Sequence, residues 1–299
     1  MSSEQIQNLI DDWHLWPDIC SEPPTADNFS GLVKGLTNNN LLFTRTTNSI
    51  TNKYVFRINA QNAHSLWLNR RAEWHIHQSI SQFNICPPYI YQDPKNGYWV
   101  RPYIEGKTVH ETVTEYPQAI TTHLLKDIAK ILKLIHNTPM SKSWPKINFK
   151  QRTDHYWQQI LKRLGSKQTE LKIGLSNLKL TLDDQLKSTG YSPRLCHMDP
   201  NSNNWILNQK QIHLIDWEYA AIGNPAWDLA VICDTFELTD EQQDDFINQY
   251  SNRLVKRKEL DLAQCQMEYL SALWYCVQGI TNAQNLIDGL LQIGTKKPA

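Results

Sequence analysis

Two polar motifs joined by an apolar hairpin pattern constrain the fold of this chain more than any other feature. The first carries Asp199 and Asn204 in the pattern His-x-Asp-x4-Asn. The second places Asp216 directly after an apolar run that reads as a β-strand. Between them, two apolar runs flank the turn-like residues 208–211, which predicts a β-hairpin. That hairpin would bring Asn204 and Asp216 to adjacent strand ends.

These three side chains are the groups that phosphoryl transfer uses. One Asp can accept the proton of an attacking hydroxyl, while an Asn and a second Asp can hold Mg²⁺ on nucleotide phosphates. We therefore interpret Asp199 as the catalytic base and Asn204 and Asp216 as metal ligands. An ordinary acidic hairpin is the alternative, because Asp and Asn are common turn residues. The presence of both motifs together makes that alternative the weaker one.

The segment 196–230 resembles the choline kinase, thiamine kinase and aminoglycoside phosphotransferase group, which has a protein-kinase-like fold. The runs IDWEYA (215–220) and GNPAWDLA (223–230) are more similar to choline and thiamine kinases than to antibiotic kinases. The resemblance implies an α+β, two-lobe fold. We expect a small β-rich N-terminal lobe at 1–102 and a larger helical C-terminal lobe at 103–299. It also implies ATP and Mg²⁺ as cofactors and a small-molecule hydroxyl compound as the acceptor.

The nucleotide-binding parts of that group have counterparts in the first hundred residues. In the loop 31–38, Gly35, Thr37 and Asn38 resemble a phosphate-binding turn, since glycine lets backbone amides approach an anion. A plain hairpin turn explains the loop equally well. Tyr103 lies in the segment that joins the two halves, which resembles the hinge that receives adenine.

A strand cation and a helix carboxylate complete the expected nucleotide site. Arg57 lies within the strand-like run 54–58, and Glu73 lies on the helix that follows. The resemblance implies that this pair positions the phosphates, for which arginine offers a bidentate contact. A surface ion pair is the alternative, and Arg70 and Arg71 could compete for Glu73.

Four residues are candidates for contacting the acceptor: Trp274, Glu218, Trp227 and Asp234. Trp274 lies in a Leu-Trp-x-x-x-Gln pattern similar to the helix that gives choline kinases an aromatic face for their cation. Core packing is the alternative role for both tryptophans. Ser271 stands where choline kinases tend to have a second tryptophan, and the stretch at Tyr156 resembles thiamine kinases. These two features favour thiamine slightly over choline.

Supporting roles are expected for His197 and Asp228. In this loop pattern the histidine braces the backbone, so Asp199 rather than His197 faces the substrate. Asp228, at a predicted helix start, could accept hydrogen bonds from the backbone of the catalytic loop.

Composition excludes several other classes. The chain has 30 Lys and Arg against 30 Asp and Glu residues, whereas a nucleic-acid binder usually shows a basic excess. No signal-peptide pattern or membrane-length apolar run is visible, and the 6 cysteines lack C-x-x-C spacing. A cytoplasmic kinase without nucleic-acid or membrane partners is therefore expected. An aminoglycoside phosphotransferase and a nucleotide-binding pseudokinase are the alternatives.

Overall fold

The computed structural model describes residues 3–32, 37–95, 97–164, 169–187, 190–208, 211–251 and 255–295. The chain divides into two compact units, Met1–Asn62 with His77–Glu105, and Ala63–Ile76 with Gly106–Ala299. The short segment 63–76 thus belongs to the second unit although it precedes the end of the first in sequence. No described helix is both long and apolar enough to span a bilayer.

The first unit is built on an antiparallel sheet of five strands in the order β1-β2-β3-β5-β4. The strands are β1 (Phe29–Gly31), β2 (Asn39–Thr47), β3 (Ile50–Ile58), β4 (Tyr91–Gln92) and β5 (Tyr98–Pro102). Phe43 and Phe56 point from neighbouring strands into a core that also buries Trp16. Because side chains alternate between the two faces of a strand, this register places the large aromatic residues on one side of the sheet.

Two helices accompany this sheet in sequence. Helix α1 (Ser3–Asp11) opens the described chain and buries Leu9 in the same aromatic core. Helix α2 (Arg70–Ser81) begins in the segment that belongs to the second unit and ends in the first.

The second unit is mainly helical and carries two small sheets. Its helices are α3 (Val109–Glu115), α4 (Thr122–His136), α5 (Phe149–Arg163), α6 (Thr169–Gln185), α7 (Pro225–Thr235), α8 (Asp240–Tyr250), α9 (Arg257–Gln278) and α10 (Ala283–Thr295). Its strands are β6 (Lys107–Thr108), β7 (Arg194–Cys196), β8 (Trp205–Leu207), β9 (Ile212–Leu214) and β10 (Ala221–Gly223). β6, β8 and β9 form one sheet, while β7 pairs with β10. The sequence of strands followed by helices is the α+β arrangement predicted above.

Helix α7 is buried along most of its length and contacts the loop that carries Asp199. Asn224 caps it by accepting a hydrogen bond from Ala226 N at 3.0 Å, and Pro225 occupies its first turn, where a missing N–H costs nothing. Its residues from Pro225 to Cys233 are all buried, which is the pattern of a helix surrounded by protein. An ionisable side chain on this helix, such as Asp228, must therefore have partners inside the protein.

Candidate active site

The predicted hairpin is present and aligns the ends of the two motifs. Strands β8 and β9 are antiparallel, with Trp205 opposite Leu214. One residue beyond this pair, Ile215 N donates to Asn204 O at 2.9 Å. This hydrogen bond brings Asn204 beside the residue that precedes Asp216, so the two expected metal ligands lie at the same end of the hairpin.

The orientation of the Asn204 side chain follows from its hydrogen bonds. Asn204 Nδ2 donates to the main-chain oxygen of Asp199 at 2.9 Å and reaches Asp199 Oδ2 at 3.4 Å. A carbonyl oxygen can only accept, so the amide nitrogen must face it, and Oδ1 faces the other way. Asp216 adopts the left-handed conformation, with φ 66° and ψ 64°, which is uncommon outside glycine and is found at functional sites.

Asp199 has the environment of a base poised near neutral pH. Desolvation within the loop raises the pKa of Asp199 to about 7, and the negative charges of Asp216, Glu218 and Asp228 act in the same direction. The hydrogen bond that Asn201 Nδ2 donates to Asp199 Oδ1, at 2.9 Å, opposes this shift. A base near its operating pH can both accept and release a proton readily.

His197 has a bracing position. Its Nε2 donates to Ile215 O at 3.0 Å, which ties the catalytic loop to the residue before Asp216. Burial lowers the pKa of His197 to about 4, so the ring is neutral at physiological pH. The ring also packs edge-on against Trp217, with centroids 4.6 Å apart. This geometry supports the bracing role expected from the sequence.

Asp228 accepts two hydrogen bonds from the main chain of the loop that carries Asp199. Its Oδ2 accepts from His197 N and its Oδ1 accepts from Met198 N, both at 2.8 Å. Met198 has a φ of 72°, a strained value for a side chain of its size. The carboxylate therefore stabilises a backbone conformation that would otherwise be unfavourable, one residue before Asp199.

A histidine that the sequence did not single out extends this brace. His136, at the end of α4, lies with Nε2 3.0 Å from Asp228 Oδ2 and with Nδ1 2.7 Å from the hydroxyl of Tyr250 on α8. His136, Cys196 and Asp228 are close enough to one another to suggest a metal site. Both ring nitrogens and both carboxylate oxygens already have protein partners, so we interpret the cluster as a support for the loop.

Glu73 and Glu218 share one arginine in the second unit. Arg70 Nη1 donates to Glu73 Oε2 at 2.9 Å and to Glu218 Oε2 at 2.8 Å, and all three side chains are buried. Glu218, two residues after Asp216, therefore has one carboxylate oxygen bound by a protein cation. Arg70 is one of the two residues that the sequence indicated could compete with Arg57 for the Glu73 carboxylate. The predicted Arg57–Glu73 pair joins residues of different units and stays a prediction.

A family model described as "Phosphotransferase enzyme family" matches residues 29–262 of the chain. The match includes both motifs and covers most of the chain. The chain belongs to the phosphotransferase enzyme family. The resemblance and the enzyme class predicted from the sequence are thereby confirmed.

Known proteins similar to this phosphotransferase agree with that assignment. A LicA homologue of Mycoplasma capricolum is 28% identical over 68% of this chain and 76% of its own length. Choline kinase LicA from Streptococcus pneumoniae has a TM-score of 0.70 and 21% identity, with 94% of this chain and 98% of that chain covered. Plasmodium vivax ethanolamine kinase has a TM-score of 0.75 and 18% identity over 95% and 86%. Two further curated relatives are matched over 58% and 33% of their own lengths.

These similarities confirm the predicted kinase-like fold of the phosphotransferase. At such low identities the similarity to solved structures shows the fold and does not show which acceptor this chain uses. Other structures with the same fold were solved with AMP, or with GDP in an aminoglycoside phosphotransferase. Nucleotide binding is thus a property of those proteins.

Of the three candidate phosphate-binding residues of the phosphotransferase, Thr37 and Asn38 lie in the part of the chain that the structure describes. Asn38 is buried, and its Oδ1 accepts from Ala60 N at 3.1 Å, which attaches the turn to the end of β3. Thr37 is half-buried beside it, and Gly35 lies outside the described residues. This hydrogen bond positions Asn38 at the end of β3, and contact of Asn38 with a phosphate stays a prediction.

Arg57 and Tyr103 both lie in the first unit. The Arg57 guanidinium is 5.0 Å from the centre of the Trp99 ring, within cation–π range. Tyr103 N donates to Lys53 O at 3.0 Å, and Lys53 Nζ is 5.6 Å from the Tyr103 ring. Both residues are thus anchored to β3 and β5, which pair with each other inside the sheet.

The four expected acceptor residues of the phosphotransferase have different surroundings. Trp274 is half-buried, and its indole nitrogen donates to the hydroxyl of Tyr219 at 2.7 Å. Trp227 is buried in the interior, where its indole nitrogen donates to Gln266 at 2.7 Å. This burial favours the core-packing role left open by the sequence, and contact of Trp227 with the acceptor stays a prediction. Asp234 is exposed and accepts from Gln264 at 2.7 Å.

Proposed function

We propose that the protein is an ATP-dependent kinase that transfers the γ-phosphoryl group to the hydroxyl of a small cationic alcohol of the choline, ethanolamine or thiamine type. The observation that carries this proposal is the joint placement of Asp199, Asn204 and Asp216 by one loop and one hairpin. Membership of the phosphotransferase family and the LicA and ethanolamine kinase similarities support it.

Mg²⁺ fits the donor set at the end of the hairpin. Asn204 is oriented with Oδ1 away from Asp199, and Asp216 supplies a carboxylate nearby in sequence and in the sheet. Both are hard oxygen donors, which Mg²⁺ prefers. Bound there, the ion would neutralise charge on the phosphates during transfer. A cation beside Asp216 would also offset its repulsion of Asp199 and favour the ionised base.

Asp199 would orient the acceptor hydroxyl and take its proton. The hydrogen bonds from Asn201 and Asn204 fix the carboxylate in one position relative to the hairpin. Catalysis of this kind depends mainly on positioning and on charge stabilisation, since the phosphoryl group needs little covalent help.

The nucleotide would be held by residues of the first unit. We assign the triphosphate to the loop 31–38 and to Arg57, and adenine to the segment containing Tyr103, while the pairing of Arg57 with Glu73 stays a prediction of the resemblance. Two sequence features support the phosphate assignment: the glycine-containing loop 31–38, and Arg57 on β3.

The acceptor would lie near Tyr219, Trp274 and Glu218. Tyr219 lies shortly after Asp216 in the sequence, and the indole nitrogen of Trp274 donates a hydrogen bond to the Tyr219 hydroxyl. The LicA and ethanolamine kinase similarities favour choline or ethanolamine over thiamine. Trp157, in the stretch that resembled thiamine kinases, is buried and donates to Tyr269 at 2.6 Å, which explains its presence without a ligand.

A single acceptor panel tests the proposal. Choline, ethanolamine, thiamine and kanamycin are each supplied with ATP and Mg²⁺, and ADP release is followed by a coupled assay. We expect release that depends on one of the first three compounds. Release with kanamycin alone would favour the antibiotic kinase alternative. ATP binding without release for any compound would contradict transfer to these alcohols and favour the pseudokinase alternative.

A further inference from the structure

Arg152 lies with its charged group against three aromatic rings of the second unit. Its guanidinium carbon is 5.6 Å from the ring centre of Trp67, 5.8 Å from that of Tyr156 and 5.6 Å from that of Tyr219. All three distances are within the range of a cation–π interaction. We call Trp67, Tyr156 and Tyr219 the aromatic cage. The Arg152 side chain is only 5% exposed, so the chain's own cation fills this cage.

Hydrogen bonds fix Arg152 in that position. Its Nη1 donates to Tyr156 Oη at 3.1 Å and to Leu66 O at 3.4 Å. The second bond attaches the loop before α2 to helix α5. One turn along α5, His155 Nε2 donates to Ser65 O at 3.0 Å, so the loop is held at two points.

Trp67 itself is held in an unusual conformation. Its φ is 57°, which is rare for an aromatic residue, and its side chain is 38% exposed. The ring stacks on His155 with centroids 5.2 Å apart and planes at 20°. A strained and partly exposed tryptophan that is supported on one face is typical of a ligand-contacting position.

The aromatic cage is continuous with the proposed acceptor site. Tyr219 adjoins Glu218 in sequence, and its hydroxyl accepts from Trp274. The ring that Arg152 contacts is therefore hydrogen-bonded to Trp274, the residue expected to face the acceptor's cation. Two cations that use one ring repel each other, and this repulsion is strong where water is excluded.

We propose that Arg152 is a specificity-determining residue that competes with the acceptor's cation for the aromatic cage. This inference rests on the proposed function. Because the guanidinium already uses the faces of the cage, a quaternary ammonium gains little there. The enzyme consequently distinguishes a cationic alcohol from its uncharged carbon analogue less than an open cage would.

The experiment removes the charge and keeps the bulk. Arg152→Met is compared with the wild type in kcat/KM for choline and for its neutral analogue 3,3-dimethylbutan-1-ol. A second pair, ethanolamine and propan-1-ol, covers the smaller acceptor. We expect the ratio of kcat/KM for the cation to kcat/KM for the neutral analogue to rise roughly 2- to 30-fold, the range for one cation–π contact.

Three further variants separate charge from structure. Arg152→Gln keeps a donor for Leu66 O and should raise the ratio even if the Met variant folds poorly. Arg152→Lys keeps the charge and should leave the ratio near the wild-type value. Lys162→Met removes the same charge from the exposed end of the same helix and should leave the ratio unchanged. Loss of folded protein lowers the apparent kcat/KM for both acceptors by the same factor, so it cannot change the ratio of the two values.

The outcomes distinguish the inference from the function on which it rests. If the wild type phosphorylates choline or ethanolamine and both charge-removing variants keep its ratio, Arg152 has no role in selection and the proposed function stands. If the wild type phosphorylates neither choline, ethanolamine nor thiamine, the proposed acceptor class fails first. A ratio that rises equally in Arg152→Lys and in Arg152→Met would show that shape, and not charge, controls selection, and would overturn the proposal.

Discussion

Replacing Asp228 by Asn tests whether helix α7 positions the catalytic loop. The carboxylate accepts hydrogen bonds from His197 N and Met198 N, at 2.8 Å each, and has His136 Nε2 3.0 Å away. An amide has only one oxygen, so one of the two backbone N–H groups would face an NH₂ group and lose its acceptor. Met198 has a φ of 72°, which is unfavourable for a side chain of its size, so its backbone should move toward a more favourable conformation when that bond is lost.

The expected cost can be estimated from these contacts. A hydrogen bond to a charged acceptor contributes ~1.5–3 kcal/mol, and a stranded buried donor costs ~1–3 kcal/mol. Together they lower the free energy of unfolding of Asp228→Asn by about 3–5 kcal/mol, similar to breaking a buried pair. At a few degrees per kcal/mol for a chain of this size, Tm should fall by about 10 °C.

Activity should fall as well, because the loop positions Asp199. A displacement of about 1 Å at the base can lower turnover roughly 100-fold, so we expect kcat to fall by that order while KM for ATP changes much less. Tyr250→Phe removes only the hydroxyl bonded to His136 and should cost ~1 kcal/mol, with kcat within a few-fold.

The assay combines thermal melting with steady-state kinetics on the purified variants. Asp245→Asn, an exposed position on α8, removes the same charge and should melt within about 1 °C of the wild type. If Asp228→Asn melts within about 2 °C of the wild type and keeps its kcat, the bracing role is wrong. A lower Tm with unchanged kcat per folded molecule would restrict Asp228 to stability.

Three other outcomes are expected. Asp199→Asn should leave ATP binding nearly intact and lower kcat by orders of magnitude, because the base acts in the chemical step; wild-type turnover would contradict the assignment. Asp216→Ala should abolish Mg²⁺-dependent ATP binding measured by calorimetry, and Asn204→Ala should weaken it less, because only Asp216 carries a charge; unchanged affinity in Asp216→Ala would place the metal elsewhere. Trp274→Ala should raise KM for the cationic alcohol roughly 2- to 30-fold with KM for ATP unchanged if its ring faces the acceptor, whereas a loss of ~3–5 kcal/mol in stability that depresses every parameter would show a packing role.

The catalytic loop could be anticipated because its features are local in sequence. Asp199, Asn204 and Asp216 lie within one short segment, and the hairpin between them follows from alternating apolar runs and a turn. The role of Asp228 could also be anticipated, since an Asp at the start of an apolar helix needs a hydrogen-bond donor. His136, which completes that brace, carried no signal because it ends an ordinary amphipathic helix.

The surroundings of the expected acceptor residues could not be predicted from the sequence. Trp227 lies in the run 223–230, which resembles choline and thiamine kinases, and it packs in the interior against Gln266. Glu218 is bound by Arg70 from 148 positions away. Whether a tryptophan or a glutamate beside a motif faces a ligand depends on which elements cover it, and a local pattern does not contain that information.

The sequence by itself determined the enzyme family, the strands and helices that carry the two motifs, and the order along the chain of the candidate base and the candidate metal ligands. These follow from short-range patterns, in which periodicity and turn residues act over a few positions. Only the tertiary structure showed that Arg152 fills an aromatic cage made by a loop, its own helix and the segment after Asp216. Its bond to Leu66 spans 86 positions, and such a contact exists only once packing has brought the two segments together.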